Sequence, residues 1–369
     1  MAPRNHVVIA GASGVIGAGA VEHFAGLPDW RVTGLSRRVP VVGQGCAFNH
    51  IAVDLEDRDS CAAVIEGLQP VTHLVYAAVA EAPGLVGGWY DPALIARNGR
   101  MFANLLDPLA ATGRFRHISL LQGTKAYGGH HHAVSLPCRE SAPRDDHANF
   151  YWLHEDHVRL RAKEAGFAFT IFRPQVLLGG AAGVAMNPAV ALGAYMALTA
   201  ELGLPLAYPG TGAAMWEMVD TSLLAEALAW AAISPAAENQ IFNITNGDVM
   251  VLAHDWSRLA ATLGRMSGGE APASLAGFFA EPRAQQAWRR LAVRYELRES
   301  TLPTLLGESH HYMDLLLSPR LADRPLPMLL STIKIRQAGF NACRDSVESL
   351  LRWLRRMGEL KLLPPLGGI

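Results

Sequence analysis

The chain has 369 residues, half of them apolar, and a formal net charge of −1 at pH 7. A chain of this length buries a large core in one domain or in two closely joined domains. Because the charge is near zero, there is no electrostatic basis for binding nucleic acid or an acidic membrane surface, and we expect neither partner.

Short β-rich segments alternate with helical patterns from residue 7 to residue 175. The predicted strands are 7–10, 31–36, 50–54, 73–77, 116–120 and 168–173, and helical patterns occupy 17–25, 59–68 and 99–107. Such β-α-β alternation is typical of a parallel sheet with helices on both faces. We therefore predict an α/β fold, a Rossmann-type doubly wound parallel sheet, in a nucleotide-binding domain over residues 1–175.

The pattern changes after Pro174. Helices are predicted over 186–203 and, after a turn, within 215–232, and a strand at 240–244 precedes a turn at 246–248. From residue 254 onward helical patterns dominate, with breaks near 267–269 and 319–327. We predict a mainly helical substrate-binding lobe over residues 176–369, interleaved with the last strands of the sheet.

Signals for a membrane or secreted protein are weak. The most apolar stretch, residues 190–204, is interrupted by Glu201 and is too short for a bilayer span, so we interpret it as a buried helix. The first residues lack the apolar core of a signal peptide. The four cysteines are scattered and form no CxxC pair. These patterns favour a cytoplasmic protein with reduced thiols.

A glycine-rich turn follows the first predicted strand and precedes a helix, and its residues 11–17 have the spacing GxxGxxG. Glycine is needed where the backbone turns tightly and where it must approach a pyrophosphate closely. The first turn of the following helix then binds the phosphates. We predict a dinucleotide site with contacts from Gly11, Ser13, Gly14, Val15, Ile16 and Gly17.

The end of the second strand determines which dinucleotide is bound. An NAD site places Asp or Glu there to bind the ribose 2′-hydroxyl, whereas this chain has Ser36, Arg37 and Arg38. Two guanidinium groups and a hydroxyl can bind a 2′-phosphate, which a carboxylate would repel. We predict NADPH as the cofactor, and a solvated basic loop is the alternative interpretation. The further predicted cofactor contacts are Asp54, Leu55, Ala77, Ala78, Leu121, Lys125, Tyr151, Pro174 and Leu177.

Lys125 and Tyr151 are the predicted catalytic pair. Hydride addition to a carbonyl compound develops negative charge on oxygen, and a tyrosine near a lysine ammonium can stabilise that charge as an acid. Lys125 follows the fifth predicted strand, at the sheet edge where nicotinamide would lie, and Tyr151 begins the next helical pattern. The lysine precedes the tyrosine by 26 positions, whereas most short-chain dehydrogenases carry the two residues close together on one helix.

Longer sequence strings that carry a family resemblance occur in order between residues 11 and 346: GASGVIG, LSRR, VTHLVYAA, NGRMFANLLD, HISLLQGTKAYGG, NFYWLHED, FRP, FNITNGD and QAGFNACRDS. Together they resemble the progesterone 5β-reductase/iridoid synthase-like family, an atypical branch of the extended short-chain dehydrogenases. The resemblance identifies the lysine of the GTK string and the first tyrosine of the NFY string, here Lys125 and Tyr151, as the catalytic pair. It implies NADPH-dependent reduction of an activated C=C bond in an enone or enal, with hydride going to the carbon β to the carbonyl. Tyr151 would then hold the enolate oxygen, and Lys125 would orient Tyr151 and the nicotinamide ribose.

The chain departs from the family pattern around the predicted substrate pocket. The family's second tyrosine is Trp152 here, its histidine after the lysine is Ala126, and its Gly-Pro-Phe is Gly129-His130-His131. Its Arg-Pro-Gly-Asn is Arg-Pro-Gln-Val at residues 173–176. We therefore expect the substrate-binding surface to differ from that of the family. The predicted pocket residues are His131, Trp152, Met186 and Met215, the expected partner is a small-molecule enone or carbonyl substrate, and a homodimer is left open as the assembly.

Other polar residues are assigned structural roles. The histidines at 130–132 have no cysteine or carboxylate partner at ligand spacing, and adjacent residues on one loop rarely bind the same ion, so we predict no metal site. Glu155 and Asp156 face different directions on a helix, so we expect a helix-dipole or structural role for them rather than an acid–base pair. Asn98 either helps to position the active site or caps a helix, and capping is the expected role.

Other functions stay open from the residues alone. A carbonyl 1,2-reductase would use the same tyrosine acid. A sugar-nucleotide epimerase or dehydratase of the extended type is less favoured, because the usual tyrosine–lysine spacing is absent and such enzymes usually recycle a bound NAD. A non-catalytic NADPH sensor is less favoured because both Tyr151 and Lys125 are present.

Overall fold

The computed structural model describes residues 4–68, 70–212, 214–318 and 328–367. The chain divides into two compact units. The first contains the residues up to Pro174 together with Thr221–Ile244 and Leu330–Ala342, and the second contains Gln175–Asp220, Thr245–Leu329 and the residues from Cys343 onward. The break predicted at 319–327 lies outside the described residues.

Strands and helices alternate through the first part of the chain, as predicted. The strands are β1 Asn5–Ala10, β2 Trp30–Leu35, β3 Asn49–Ile51, β4 His73–Tyr76, β5 His117–Leu121, β6 Ala168–Pro174, β7 Val176–Leu178, β8 Leu206–Tyr208, β9 Met215–Trp216, β10 Met218–Asp220, β11 Gln240–Ile244, β12 Met250–Val251 and β13 Ser267–Glu270. The helices are α1 Val15–Ala25, α2 Arg58–Gly67, α3 Pro92–Ala110, α4 Phe150–Ala165, α5 Pro188–Glu201, α6 Thr221–Ala231, α7 Leu252–Thr262, α8 Leu275–Ala280, α9 Pro282–Tyr295, α10 Leu302–Leu306, α11 Ser309–Leu317, α12 Ile333–Gln337 and α13 Ser346–Glu359.

Seven parallel strands form the sheet of the first unit, in the order β3-β2-β1-β4-β5-β6-β11. This order confirms the predicted α/β fold with a Rossmann-type sheet. The strand order reverses between β1 and β4, so the loops that follow these two strands diverge at the carboxyl edge of the sheet. Ligands bind at such a switch point in doubly wound folds.

Helices cover both faces of this sheet. On one face, alternate strand residues such as Val8 and Ala10 in β1 or Leu74 and Tyr76 in β4 pack with α2, α3 and α4 in a single apolar core. On the other face, α1 packs against β1, β2 and α6. The central strands are therefore buried on both faces, which explains why residues 7–10 form a continuous apolar run instead of an alternating one.

The second unit is mainly helical, and its strands occur in pairs: β10 with β7, β12 with β9 and β13 with β8. The helices are interrupted near 267–269, as predicted, and the residues there form β13, which pairs in parallel with β8. The turn predicted ahead of the helix in 215–232 is formed by β9 and β10.

Helix α5 corresponds to the most apolar part of the sequence and is buried along almost its whole length, as expected. Apolar residues on every side of a helix are explained when each side packs against protein. Within the described residues, no helix is both long and apolar enough to cross a membrane.

Candidate active site

The glycine loop after β1 packs directly against the loop after β4. Gly11 has a φ of +80°, in the left-handed region, and a Cβ there would lie only 2.7 Å from the carbonyl oxygen of Ala77. The backbone N–H groups of Gly11 and Ala12 donate to the carbonyl of Leu35, at 2.9 and 3.1 Å. A Cβ on Gly17 would overlap the Gly11 carbonyl. Gly11 and Gly17 are thus required for the turn itself and for the close packing of α1.

The first turn of α1 has the features of a phosphate site. Gly14 precedes the helix without a side-chain cap, and the first turn, which begins at Val15, contains no acidic residue. The N–H groups of this turn are the orphan donors of a helix N-terminus, where the helix dipole favours negative charge. The loop therefore has the features of a pyrophosphate site, and the cofactor contacts predicted for Ser13 to Gly17 stay predictions.

Arg37 and Arg38 lie exposed just after β2. The hydroxyl of Ser36 donates to the carbonyl of Arg38 at 2.6 Å, and the Nε2 atom of His50 lies 3.1 Å from the carbonyl oxygen of Ser36. These contacts close the basic loop at the edge of the predicted ribose site. His50, on β3, supports this loop and was not identified from the sequence.

The other predicted adenine and cofactor contacts lie at the same edge of the sheet. Asp54 follows β3 with its carboxylate exposed, and that carboxylate accepts the backbone N–H of Glu56 at 3.0 Å. Leu55 is buried. Ala77 and Ala78 follow β4, and their backbone packs closely against Gly11. Their contacts with a cofactor stay predictions.

Tyr151 lies in the first turn of α4, where Asn149 caps the helix. The side-chain oxygen of Asn149 accepts the backbone N–H of Tyr151 at 3.0 Å. The Tyr151 side chain is buried, and its hydroxyl reaches Gly123, just past β5: a Cβ on Gly123 would lie 3.1 Å from the hydroxyl oxygen and 3.6 Å from the carbonyl oxygen of Pro174. The predicted acid therefore lies at the carboxyl ends of β5 and β6.

A buried polar network fixes the start of α4. The Gln122 amide donates to the carbonyl of Tyr151 at 3.3 Å and to the carboxylate of Glu155 at 3.2 Å, and it accepts from Arg173 at 2.8 Å. Burial alone would raise the pKa of Glu155, but hydrogen bonds from Arg159 and Gln122 outweigh it and lower that pKa. Glu155 therefore acts as a structural anion, as expected, while Asp156 is exposed. Gln122 was not identified from the sequence.

Lys125 lies on a single 3₁₀ turn, Thr124–Tyr127, directly after the strand that leads to Gly123. Its Nζ atom is 4.2 Å from the ring centroid of Trp89 and 5.9 Å from that of Tyr151. The structure thus brings the two residues of the predicted pair together. Burial lowers the pKa of Lys125 to about 8, against the opposing influence of the Glu81 carboxylate.

Glu81 is the carboxylate that faces this lysine, and it was missed in the sequence. Its Oε1 atom is buried and has no hydrogen-bond partner among the described residues. Burial raises the pKa of Glu81, and Lys125 opposes that rise. Glu81, Trp89, Lys125 and Phe150 line one small pocket in the first unit. A loop glutamate carries no local sequence signal, so only the fold reveals it.

Two buried asparagines hold the segments that carry these groups. Asn98 donates to the carbonyl of Ala80 at 3.0 Å and accepts its N–H at 2.8 Å, which clamps the loop next to Glu81. The expectation that Asn98 caps a helix is wrong, because α3 begins at Pro92 and Asp91 caps it. Asn243, fully buried on β11, accepts the hydroxyl of Tyr127 at 2.6 Å and so anchors the turn that carries Lys125.

The predicted pocket residues are divided between the two units. His131 is exposed and Trp152 half-buried in the first unit, where the Trp152 indole donates to the carbonyl of His147 at 3.0 Å. Met186 and Met215 belong to the second unit, ahead of α5 and on β9. The part of these four residues in a substrate pocket stays a prediction. Leu177, which was predicted as a cofactor contact, lies on β7 in the second unit, and that contact also stays a prediction.

We expect the Glu81 carboxylate to set the pH range in which Lys125 is charged. Since the carboxylate favours the ammonium form, the Glu81→Gln variant should have a Lys125 pKa below about 8. A rate that needs the ammonium would then fall at lower pH than in the wild type. The pH profile of kcat/KM measures this shift. A profile with an unmoved upper limb would show that Glu81 does not act on Lys125.

Comparisons with known proteins identify the family of this chain. A sequence profile of the NAD dependent epimerase/dehydratase family matches residues 7–245. The chain is 29% identical over 380 residues to the (S)-8-oxocitronellyl enol synthase of Antirrhinum majus, which covers 97% of this chain and 92% of that protein. It is 27% identical over 375 residues to the 3-oxo-Delta(4,5)-steroid 5-beta-reductase of Arabidopsis thaliana, with the same two coverages.

The chain belongs to the progesterone 5β-reductase/iridoid synthase-like branch of the NAD dependent epimerase/dehydratase family. It is an NAD(P)-dependent oxidoreductase of the extended short-chain dehydrogenase type. The UDP-glucose 4-epimerase of Thermus thermophilus, solved with NAD, has a TM-score of 0.63 at 18% identity and covers 95% of this chain and 98% of that one. At this identity the likeness concerns the fold alone.

Proposed function

We propose that this oxidoreductase reduces the C=C bond of an enone or enal with NADPH. The proposal rests on one observation. The Tyr151 hydroxyl lies next to Gly123, and the Lys125 Nζ atom lies 5.9 Å from the centroid of the tyrosine ring. The Arabidopsis relative is named for reduction at C5 of a 3-oxo-Δ4,5-steroid, and C5 of such a steroid is the carbon β to the carbonyl. The proposal carries this reaction type to the present chain, while the identity of the substrate is left open.

Tyr151 acts on the substrate oxygen in this mechanism. A bound reduced nicotinamide supplies the hydride for the β-carbon. As the C=C electrons move toward the carbonyl, the oxygen gains enolate character, and the Tyr151 hydroxyl donates a hydrogen bond to it. The α-carbon of the enolate then takes up a proton from solvent, which gives the saturated carbonyl compound. The buried surroundings strengthen the hydrogen bond, because little water competes for it.

Lys125 supports the tyrosine electrostatically. Its ammonium lies within 6 Å of the tyrosine ring and favours negative charge at the phenolic oxygen and at the substrate oxygen bound to it. The proposed hydrogen bonds of Lys125 to the nicotinamide ribose follow the family pattern. Burial lowers the pKa of Lys125, and the Glu81 carboxylate opposes this and so favours the ammonium form.

NADPH is the proposed cofactor because Arg37 and Arg38 are exposed beside the hydroxyl of Ser36. In the Arg37→Ala/Arg38→Ala variant, we expect the Kd for NADPH to rise by about 10- to 100-fold, since charge-assisted hydrogen bonds are worth about 1.5–3 kcal/mol each. The Kd for NADH should change little. Fluorescence titration with both nucleotides measures this, and equal weakening of the two would contradict the 2′-phosphate assignment.

Substrate panels distinguish this reaction from its nearest alternative. NADPH oxidation should be measured against cyclic and linear enones, enals and saturated ketones and aldehydes, with identification of each product. We expect turnover of the unsaturated compounds to saturated carbonyl products. Turnover of saturated carbonyls alone would identify a 1,2-reductase that uses the same tyrosine acid.

A further inference from the structure

Three histidines gather beside the candidate active site, in the first unit. His130 and His131 follow the turn that carries Lys125, and His147 precedes α4. One ring nitrogen from each of the three lies within 4.8 Å of the other two. We call His130, His131 and His147 the histidine cluster. The prediction of no metal site considered only residues 130–132 and missed His147, which the fold brings to them.

The backbone explains how two consecutive histidines come to share one site. Gly128 adopts a φ of +75°, and its carbonyl accepts the N–H groups of His131 at 2.8 Å and of His132 at 3.1 Å. The chain therefore folds back on itself, and the rings of His130 and His131 lie 3.9 Å apart between centroids. The His147 ring is 4.9 and 4.8 Å from these two rings.

The Asp145 carboxylate orients His147, one member of the histidine cluster. The Nδ1 atom of His147 lies 2.7 Å from one oxygen of Asp145, and His132 lies 2.6 Å from the other. Since Nδ1 of His147 donates to the carboxylate, its Nε2 atom carries the lone pair, which now accepts a hydrogen bond from Asn149 at 3.1 Å. Metal-binding histidines commonly have such a carboxylate partner, which fixes the ring and raises its basicity.

A second observation points to a ligand. The Nδ1 atom of His130 is buried and has no hydrogen-bond partner among the described residues. A buried polar atom without a partner is costly, and a bound ion or water is one of its ordinary explanations. A metal ion would satisfy it.

We propose that the histidine cluster binds a divalent transition-metal ion, with zinc as the reference ion. Three imidazole ligands suit zinc and its neighbours, and they leave a fourth position for water or another ligand. Zn–N bonds of about 2.0–2.1 Å require ligand nitrogens about 3.3 Å apart, so the rings must close on the ion. His131 is exposed and can turn without disturbing the core. Asp145 supplies the nearby negative charge, and Lys125 is the opposing cation beside His130.

The proposal is independent of the reductase function, because binding is measured without turnover. The full-length protein is titrated with ZnCl2 by calorimetry and with CoCl2 by visible absorption, where tetrahedral cobalt gives intense bands. We expect one ion per chain. The His131→Ala and His147→Ala variants should lose at least tenfold in affinity, and Asp145→Asn should lose about 10- to 100-fold.

The His254→Ala variant is the matched control, because His254 is an exposed histidine in the second unit. It should bind zinc and cobalt like the wild type. Because His131 is exposed, its replacement should leave the fold intact, which circular dichroism checks. Absence of saturable binding of either ion would overturn the proposal. Equal affinity in the wild type and in His131→Ala would overturn it as well.

Discussion

The Tyr151→Phe variant should reduce turnover of an enone by about 10²–10³-fold, the loss expected when one preorganised donor to a developing oxyanion is removed. The expectation rests on the position of the hydroxyl just past the carboxyl end of β5, where a Cβ on Gly123 would lie 3.1 Å from the hydroxyl oxygen. Phenylalanine keeps the ring packing, so the nucleotide site around Gly11 should be unaffected. Steady-state kcat and NADPH titration together measure the effect.

The same substitution at an exposed tyrosine provides the control. Tyr295, at the end of α9 in the second unit, is partly exposed, and Tyr295→Phe should retain wild-type turnover. If Tyr151→Phe retained wild-type kcat as well, the hydroxyl would not be the group that stabilises the enolate oxygen. If it lost NADPH affinity in parallel with turnover, its role would be in cofactor binding instead.

Lys125→Met should also lose about 10²–10⁴-fold in turnover, the range that positioned acid–base groups contribute. Methionine has a similar length, so the contact with Trp89 is largely kept while the charge is lost. The sign of the pH dependence follows from the Lys125 pKa of about 8 in the folded protein. Wild-type turnover should fall as the pH rises through about 8, because the ammonium deprotonates, and this fall should be absent from the variant.

Lys163→Met is the matched control for this substitution, since Lys163 is exposed on the last turn of α4. It should keep both the rate and the pH profile of the wild type. A Lys125→Met variant with near-normal turnover would remove the lysine from the mechanism. Thermal unfolding of both variants separates lost chemistry from lost stability.

Local patterns were sufficient to predict the sheet and the nucleotide loop. Residues 7–10 form an uninterrupted apolar run because β1 is buried on both faces, and the glycine spacing directly after it reflects a close backbone approach to Ala77. These features depend on residues that are close in sequence, or on the single crossover helix between β1 and β2, so they could be predicted from local sequence patterns. The unusual order of Lys125 and Tyr151 did not prevent their prediction as a pair, because each lies in a recognisable sequence string.

Features that depend on distant parts of the chain were not predictable in this way. The predicted break in the helices at Ser267-Gly268-Gly269 is present, but the pairing of these residues with β8 is decided by tertiary contacts. Asn98 was expected to cap a helix, but α3 begins at Pro92, so Asn98 lies inside the helix. Neither Glu81 nor His147 has a local signal, because each becomes important only where the fold places it beside Lys125 or beside His130.

The reaction itself is tested most directly by the position of transferred deuterium. NADPH labelled with deuterium at the transferred position of C4 is incubated with the enzyme and an enone substrate from the panel, and the product is analysed by NMR and mass spectrometry. We expect a saturated ketone with one deuterium on the carbon β to the carbonyl. An allylic alcohol with the deuterium on the carbinol carbon would contradict C=C reduction and show that this oxidoreductase reduces the carbonyl group.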